Sequence, residues 1–232
     1  MKNSKTISIF VDVSGNFGDL SDPARYCIIA FVIHDALSDI SRFGEDLDRA
    51  YSDLGLDPST FLFHTAPLIR QEGIFSAMNR RMRGRILERM LTFVRRVDFR
   101  YRCFCLDTKF ANSADQIFER LKVEIGNFLT AYFPDQSGVQ GVSVYYDAGQ
   151  KAVSRLLQEV FAEVVSISVA FVEGARQIDY KLFQVADLVC TTSLIEQRLT
   201  DGLPMTHSEM RFFGGPRDFK RNILKKIKAK EI

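Results

Sequence analysis

The 232-residue chain is 46% hydrophobic and 26% charged, enough for one sizeable folded domain and too apolar for a disordered chain. Its longest apolar run, Cys27 to Ile33, is seven residues, which excludes a membrane-spanning helix. The net charge of +2 is unevenly spread: ten Arg against three acids from Arg70 to Arg102 give +7, Arg217 to Lys230 carries +6, and the rest carries −11.

The N-terminal Met-Lys-Asn-Ser-Lys leads straight into a strand-like run without a signal-peptide core, so a cytoplasmic protein with reduced thiols is expected. Cys103 and Cys105 form a C-x-C with no second pair and no nearby His, which matches no usual zinc site. With Cys27 and Cys190 they read as core cysteines.

In chain order, Thr6 to Val13 is a β-branched run closed by Ser14-Gly15, a strand with a turn. A polar loop rich in Gly, Asp and Pro leads to a second strand, Arg25 to Ile33, in an antiparallel pair with the first. Asp35 to Leu54 has helical spacing and stops at Gly55. Phe61 to His64 is a short extended piece. Ile74 to Val97 reads as one long helix, burying Phe75, Met78, Met82, Ile86, Met90, Phe93 and Val97, with Arg81, Arg85 and Arg96 roughly opposite. Phe99 to Leu106 is a third strand. Ser113 to Phe133 is a helix closed by Pro134, and Val142 to Tyr146 a fourth strand. Lys151 to Val165 is a helix and Ile167 to Val172 a fifth strand. A long apolar helix begins at Lys181, followed by a polar loop containing His207 and by a basic C-terminal helix carrying Lys220 and Arg221.

Strands alternating with helices after an opening antiparallel pair predict a three-layer α/β fold around a mixed five-stranded sheet. One domain over 1–232 is expected, with a helical insertion at about 66–98 and the basic helix at about 216–230.

Asp187 is the only charged residue between Lys181 and Glu196. A buried carboxylate without a partner costs several kcal/mol or takes up a proton. A cation, a hydrogen-bond donor or a metal ion must therefore face it; Lys181 or an Arg is one such partner. Gln184, Asp187 and Thr191 share one polar stripe on this helix. Asp12 and Asp147 each end an apolar strand. If the first and fourth strands are neighbours, the two stand side by side at the sheet edge, and the later helix can lean Asp187 over them. Three such carboxylates suit Mg²⁺ or Mn²⁺ better than zinc, and two ions about 4 Å apart form the clamp used on phosphodiesters. An Asp before Ser-Gly, or before Ala-Gly, also suits a plain turn.

Phe10-Val-Asp-Val-Ser-Gly15 resembles the opening Asp-Glu-Ser-Gly signature of the domain-of-unknown-function 3800 family, and Phe183-Gln-Val-Ala-Asp-Leu-Val189 its closing Gln-x-Ala-Asp-Leu signature. Tyr145-Tyr-Asp147 and Phe63-His64-Thr-Ala resemble the segments between. The resemblance implies a ribonuclease H-like fold, an extra helical region before the third strand, and a nuclease-type metal site at Asp12, Asp147 and Asp187. The family's Glu after the first Asp is Val13 here, which on an alternating strand points away from Asp12. Asp107 and Glu72 are candidates for a fourth carboxylate. Ser14 and Gln184 are expected to support the ligands. His64 would shuttle a proton or contact phosphate, unless it is structural.

The expected function is a divalent-metal-dependent nuclease or related phosphodiester-processing enzyme. Nucleic acid is the expected partner, held by Arg81, Arg85, Arg96, Lys220 and Arg221. No membrane association is expected, and a homodimer is left open. The alternative is a nucleic-acid- or protein-binding module of the same fold that has lost its chemistry. Interleaved aromatics of the stacking kind are not evident in the sequence.

Overall fold

A computed structural model describes residues 5–15, 17, 25–133, 138–147 and 149–232. Most of the loop between the first two strands, and Pro134, lie outside them. The elements run β1 (Lys5–Ser14), β2 (Tyr26–Asp35), α1 (Ser41–Ser52), α2 (Thr65–Arg70), α3 (Arg80–Arg96), β3 (Arg100–Asp107), α4 (Ala114–Tyr132), β4 (Val139–Tyr145), α5 (Lys151–Val164), β5 (Ser168–Val172), α6 (Lys181–Thr200) and α7 (His207–Phe213). A C-terminal helical stretch follows: α8 (Pro216–Phe219), a π turn over Lys220–Leu224, and α9 (Lys225–Lys228).

The sheet order is β3-β2-β1-β4-β5. β2 is antiparallel to both neighbours, while β1, β4 and β5 are parallel. Strand alternation divides the core in two. Phe10, Ile28, Ala30 and Val32 face α1, α3 and α6. Ile7, Ile9, Val11, Ile29 and Phe31 face α4 and α5. Helices thus cover both faces of a mixed five-stranded sheet. No helix among the described residues is long and apolar enough to cross a membrane.

Three expected elements differ. β2 extends to Asp35, whose side chain accepts from the Leu37 N–H at 3.1 Å, so α1 begins only at Ser41. The expected helix from Ile74 is broken into a 3₁₀ turn over Gly73–Phe75 and α3. Asn79 sets the break: its side chain caps α3 by accepting from the Met82 N–H at 2.9 Å, the role its short polar side chain favours. His207 starts α7 rather than lying in a loop, because Thr206 and Glu209 form a reciprocal capping box ahead of it.

The chain end covers the outer edge of β3. Tyr101 donates its N–H to the Lys230 carbonyl at 3.0 Å and accepts from the Ile232 N–H at 3.1 Å. An edge strand's open backbone groups are paired there.

Candidate active site at the ends of β1 and β4

Phe10 and Tyr145 are paired in the parallel β1–β4 ladder. Two residues further on, Asp12 is still on β1 and Asp147 lies just past the end of β4, near enough for its charge to act on Asp12. Val13 packs into the opposite core, so its side chain does point away from Asp12. α6 lies over β1 and β2 on the Asp12 side, with Asp187 on the covered part of its surface, 3% exposed.

Asp12 carries the cost of this convergence. Burial pushes its pKa up, and the carboxylates of Asp187 and then Asp147 add to the effect, raising it to about 8 against the opposing pull of His64. A carboxylate beside two others is harder to ionise.

Asp187 has two partners from one short segment. The Thr65 N–H donates to Oδ2 at 2.7 Å, and His64 Nε2 lies 3.0 Å from Oδ1. Its partner is not Lys181, which bridges Asp48 at 2.6 Å. The hydrogen bond to Asp187 raises the His64 pKa, with further help from the charges of Asp187 and Asp12. His64 remains 46% exposed at its side chain, so it faces both the buried carboxylate and solvent.

Asp147 is exposed, and its Oδ1 accepts from the Gly149 N–H at 3.2 Å, which is also how a turn-forming Asp behaves. Gln177 reaches its Oδ2 at 3.4 Å. Gln184, fully buried, donates to the Gln177 carbonyl at 3.4 Å and leaves its own Oε1 without a partner. Its link to the carboxylates therefore runs through Gln177 to Asp147. Ser14 ends β1 opposite Ile28 and is partly buried. Gly15 follows at φ +91°, where an added Cβ would lie 2.2 Å from the Tyr26 carbonyl oxygen. Ser14-Gly15 is thus a close backbone approach at the end of β1.

Cys190, Thr65, Gln177 and Arg70 join this region without having been singled out in sequence. Cys190, one helical turn after Asp187, sits against Asp12, and burial first and that carboxylate second push its thiol pKa far up. Its i+3 spacing from Asp187 was the available signal. Arg70, exposed at the end of α2, places a positive charge close enough to oppose protonation of His64.

The other expected residues divide. Asp107 is held by Arg25 at 2.6 Å and Lys109 at 3.5 Å, and Glu72 is exposed before the 3₁₀ turn, so neither supplies a fourth carboxylate. Arg81, Arg85 and Lys220 are exposed. Arg96 is instead tied to α1, 2.8 Å from Asp46 and over the Phe43 ring. Arg221 bridges Asp218 at 3.0 Å. Arg83 is buried, donating to the Leu68 carbonyl and to the Ile69 carbonyl at 3.0 Å. α3 and α9 pack together, joined by Lys226 and Glu88 at 3.2 Å, so two basic segments distant in sequence form one region.

Among the described residues, no three His, Cys, Asp or Glu side chains are arranged closely enough to enclose a metal ion. No protein-family model and no curated protein matches the chain. Among solved structures it is similar to a chain of the PCNA:RNase HII complex from Archaeoglobus fulgidus, 16% identical, covering 96% of this chain and 89% of that one with a TM-score of 0.42. Likeness at that level carries no argument about chemistry.

Proposed function

We propose that the chain is a divalent-metal-dependent nuclease or related phosphodiester-processing enzyme acting on nucleic acid, of the kind implied by its resemblance to the domain-of-unknown-function 3800 family. Asp12, Asp147 and Asp187 would hold Mg²⁺ or Mn²⁺. The supporting observation is Asp12, whose carboxylate is made costly first by burial and then by Asp187 and Asp147. Like charges gathered at a strand end on a sheet edge are the arrangement a hard cation relieves. The donor chemistry fits: Asp12, Asp147 and Asp187 offer hard carboxylate oxygens, and burial keeps the neighbouring Cys190 thiol protonated. A bound ion of this kind would polarise a phosphoryl oxygen and lower the pKa of a water.

The chain's own groups supply the rest. Thr65 and His64 fix both oxygens of Asp187. His64, whose proton affinity Asp187 raises and which is open to solvent, can contact phosphate or give a proton to a leaving oxygen. Arg70 extends positive charge outward from it, and Arg81, Arg85 and Lys220 lie exposed on the basic region of α3 and the C-terminal stretch.

The test is metal-dependent cleavage of single- and double-stranded DNA and RNA by wild type, Asp12→Asn and Asp187→Asn. Cleavage that survives both substitutions sinks the site. A second reading, a binding module without chemistry, is favoured by Val13 and by the compensation Asp187 already receives from protein donors. Calorimetric titration with Mg²⁺ or Mn²⁺ separates the two: no heat at millimolar metal, with nucleic-acid affinity intact, selects the module.

A further inference from the structure

We propose that the chain takes an unpaired nucleobase into a cavity on the sheet face that carries Asp12, so that its substrate is single-stranded or locally unstacked nucleic acid rather than continuous duplex. The inference rests on the proposed phosphodiester site. The cavity, about 600 Å³, opens on the Asp12 face of the sheet between β1, α1 and the start of α6. Pockets of roughly 300–1,000 Å³ lined by aromatic groups and a few polar ones suit ligands of this size.

Its lining has two parts. Phe10 and Tyr180, with ring centroids 5.7 Å apart, supply aromatic surface with Phe93. The cross-strand neighbours Ser8 and His34 form a polar floor. The aromatic surface continues toward the carboxylates: Phe10 stacks on Tyr145 at 4.4 Å and 17°, and Tyr145 lies 4.9 Å from Tyr180. Phe10 precedes Asp12 by two residues, and Tyr145 precedes Asp147 by two. Two strand residues span about 7 Å, a distance one nucleotide can bridge. These rings come from four separate places in the chain, β1, α3, β4 and the start of α6, so no stacking pattern shows in the sequence.

Charge decides which part of a nucleotide enters. Of the charged lining residues, Asp179 is bridged to Arg176 at 2.7 Å and Lys181 to Asp48, which leaves Asp39 to set the sign. A phosphate is repelled there, while a neutral base is not. The phosphate stays outside, toward the carboxylates and Arg70. Every base has a π-face, so the cavity selects for an unpaired base more than for sequence. A continuous duplex must first unstack and unpair to offer one.

Gly44 on α1 gives the test. It lines the cavity, has ordinary helical backbone, and a Cβ there would meet only the Lys181 Cγ at 3.9 Å. Replacing a helical glycine by a better helix former does not weaken the helix. Gly44→Met therefore fills the cavity, and Gly44→Ala is its control. Binding of short labelled single strands of DNA and RNA, and of the matching duplexes, is read by fluorescence anisotropy in EDTA. Wild type and Gly44→Ala should bind single strands about tenfold or more tighter than duplex, and Gly44→Met should lose that preference. Replacing the bases of the strand one at a time by abasic sites should reveal one position that costs about tenfold, a readout that needs no variant. Equal affinity for single strand and duplex, a folded Gly44→Met that binds as wild type, or no sensitive position overturns the cavity's role. Cleavage with metal but without single-strand preference would reject the cavity and leave the phosphodiester reading standing. Single-strand preference without cleavage would support the cavity and reject the chemistry.

Discussion

His64 Nε2 lies 3.0 Å from Asp187 Oδ1, and the backbone N–H of the next residue, Thr65, donates to Oδ2 at 2.7 Å. One carboxylate buried in α6 is therefore held by two consecutive residues, one through a titratable ring and one through the main chain. The charge of the site depends on pH through that ring.

His64 gains proton affinity first from its hydrogen bond to Asp187. A base whose pKa is raised on folding contributes stability that is complete below its unfolded pKa, about 6.5, and fades as pH rises through the folded value. In chelator, the stability difference between wild type and His64→Gln should be largest near about pH 5.5 and shrink by about pH 8.5. Urea unfolding at a series of pH values measures it. A difference that stays constant would mean the imidazole is not charged by Asp187.

Asp12 acts in the opposite direction from an ordinary ion-paired carboxylate. Its folded pKa, pushed up to about 8 by burial and by Asp187 and Asp147, exceeds its unfolded value. The folded state then holds a proton that the unfolded chain releases. Stability associated with Asp12 is present below about pH 4, the unfolded carboxylate range, and is lost as pH rises through about 8. The melting temperature of metal-free protein should therefore fall over this interval, and Asp12→Asn should flatten the decline. Mn²⁺ should restore stability at pH 8 in wild type and not in Asp12→Asn, through preferential binding to the folded state. Scanning calorimetry with EDTA and with Mn²⁺ tests both halves. An unchanged slope in the variant contradicts the shift.

The parts of this arrangement legible in sequence were those with a periodic signature. Period-two alternation turned Val13 into the core opposite Phe10, and adjacent β1 and β4 bring Asp147 near Asp12. Asp187 was legible as a lone charge in an apolar helix. Its actual partners were not: Thr65 acts through its backbone, which every residue type carries. Cys190 looked like any apolar helix residue, although its spacing from Asp187 placed it on the same side. Asn79 was hidden because Phe75 and Met78 continue the helical period across the break. Arg83 entered only the count of ten arginines and Arg96 was placed opposite the buried face, whereas one caps carbonyl groups in the interior and the other is engaged by α1.

That division among the arginines predicts two different phenotypes. Arg83→Ala leaves the Leu68 and Ile69 carbonyls without their donor and should destabilise the fold by about 1.5–3 kcal/mol, the range for hydrogen bonds to charged groups. Arg81→Ala and Arg85→Ala remove exposed side chains and should change stability by no more than about 0.5 kcal/mol. If they contact phosphates, each should weaken single-strand binding and reduce the slope of log K against log salt by about 0.7. Thermal melts and salt titrations of the three variants separate the classes. A full salt slope in the double variant Arg81→Ala, Arg85→Ala would remove that face of α3 from the interface.

Gly15 offers the most local test of how the first strand presents Asp12. It adopts φ +91°, and a Cβ would come 2.2 Å from the Tyr26 carbonyl oxygen and 3.2 Å from the Cys27 Cα. Both obstacles are backbone of β2, so no side chain can rotate to relieve them. The left-handed conformation costs an L-residue about 1–2 kcal/mol, and overpacking adds roughly 1–3 kcal/mol. Gly15→Ala should therefore lower stability by about 2–5 kcal/mol, or push apart the ends of β1 and β2 where Ser14 opposes Ile28. Because Asp12 lies three residues earlier on that strand, relaxation would shift its carboxylate relative to Asp187. The expected result is a loss of Mn²⁺ affinity larger than the loss of folding stability explains, measured by calorimetric titration under conditions where the variant remains folded. Replacement of Gly138, which also has positive φ (+84°) but nothing within 4 Å of its Cβ, controls for backbone conformation alone and should leave metal binding unaffected. Equal effects at the two glycines would show that the approach to Tyr26 does not position Asp12.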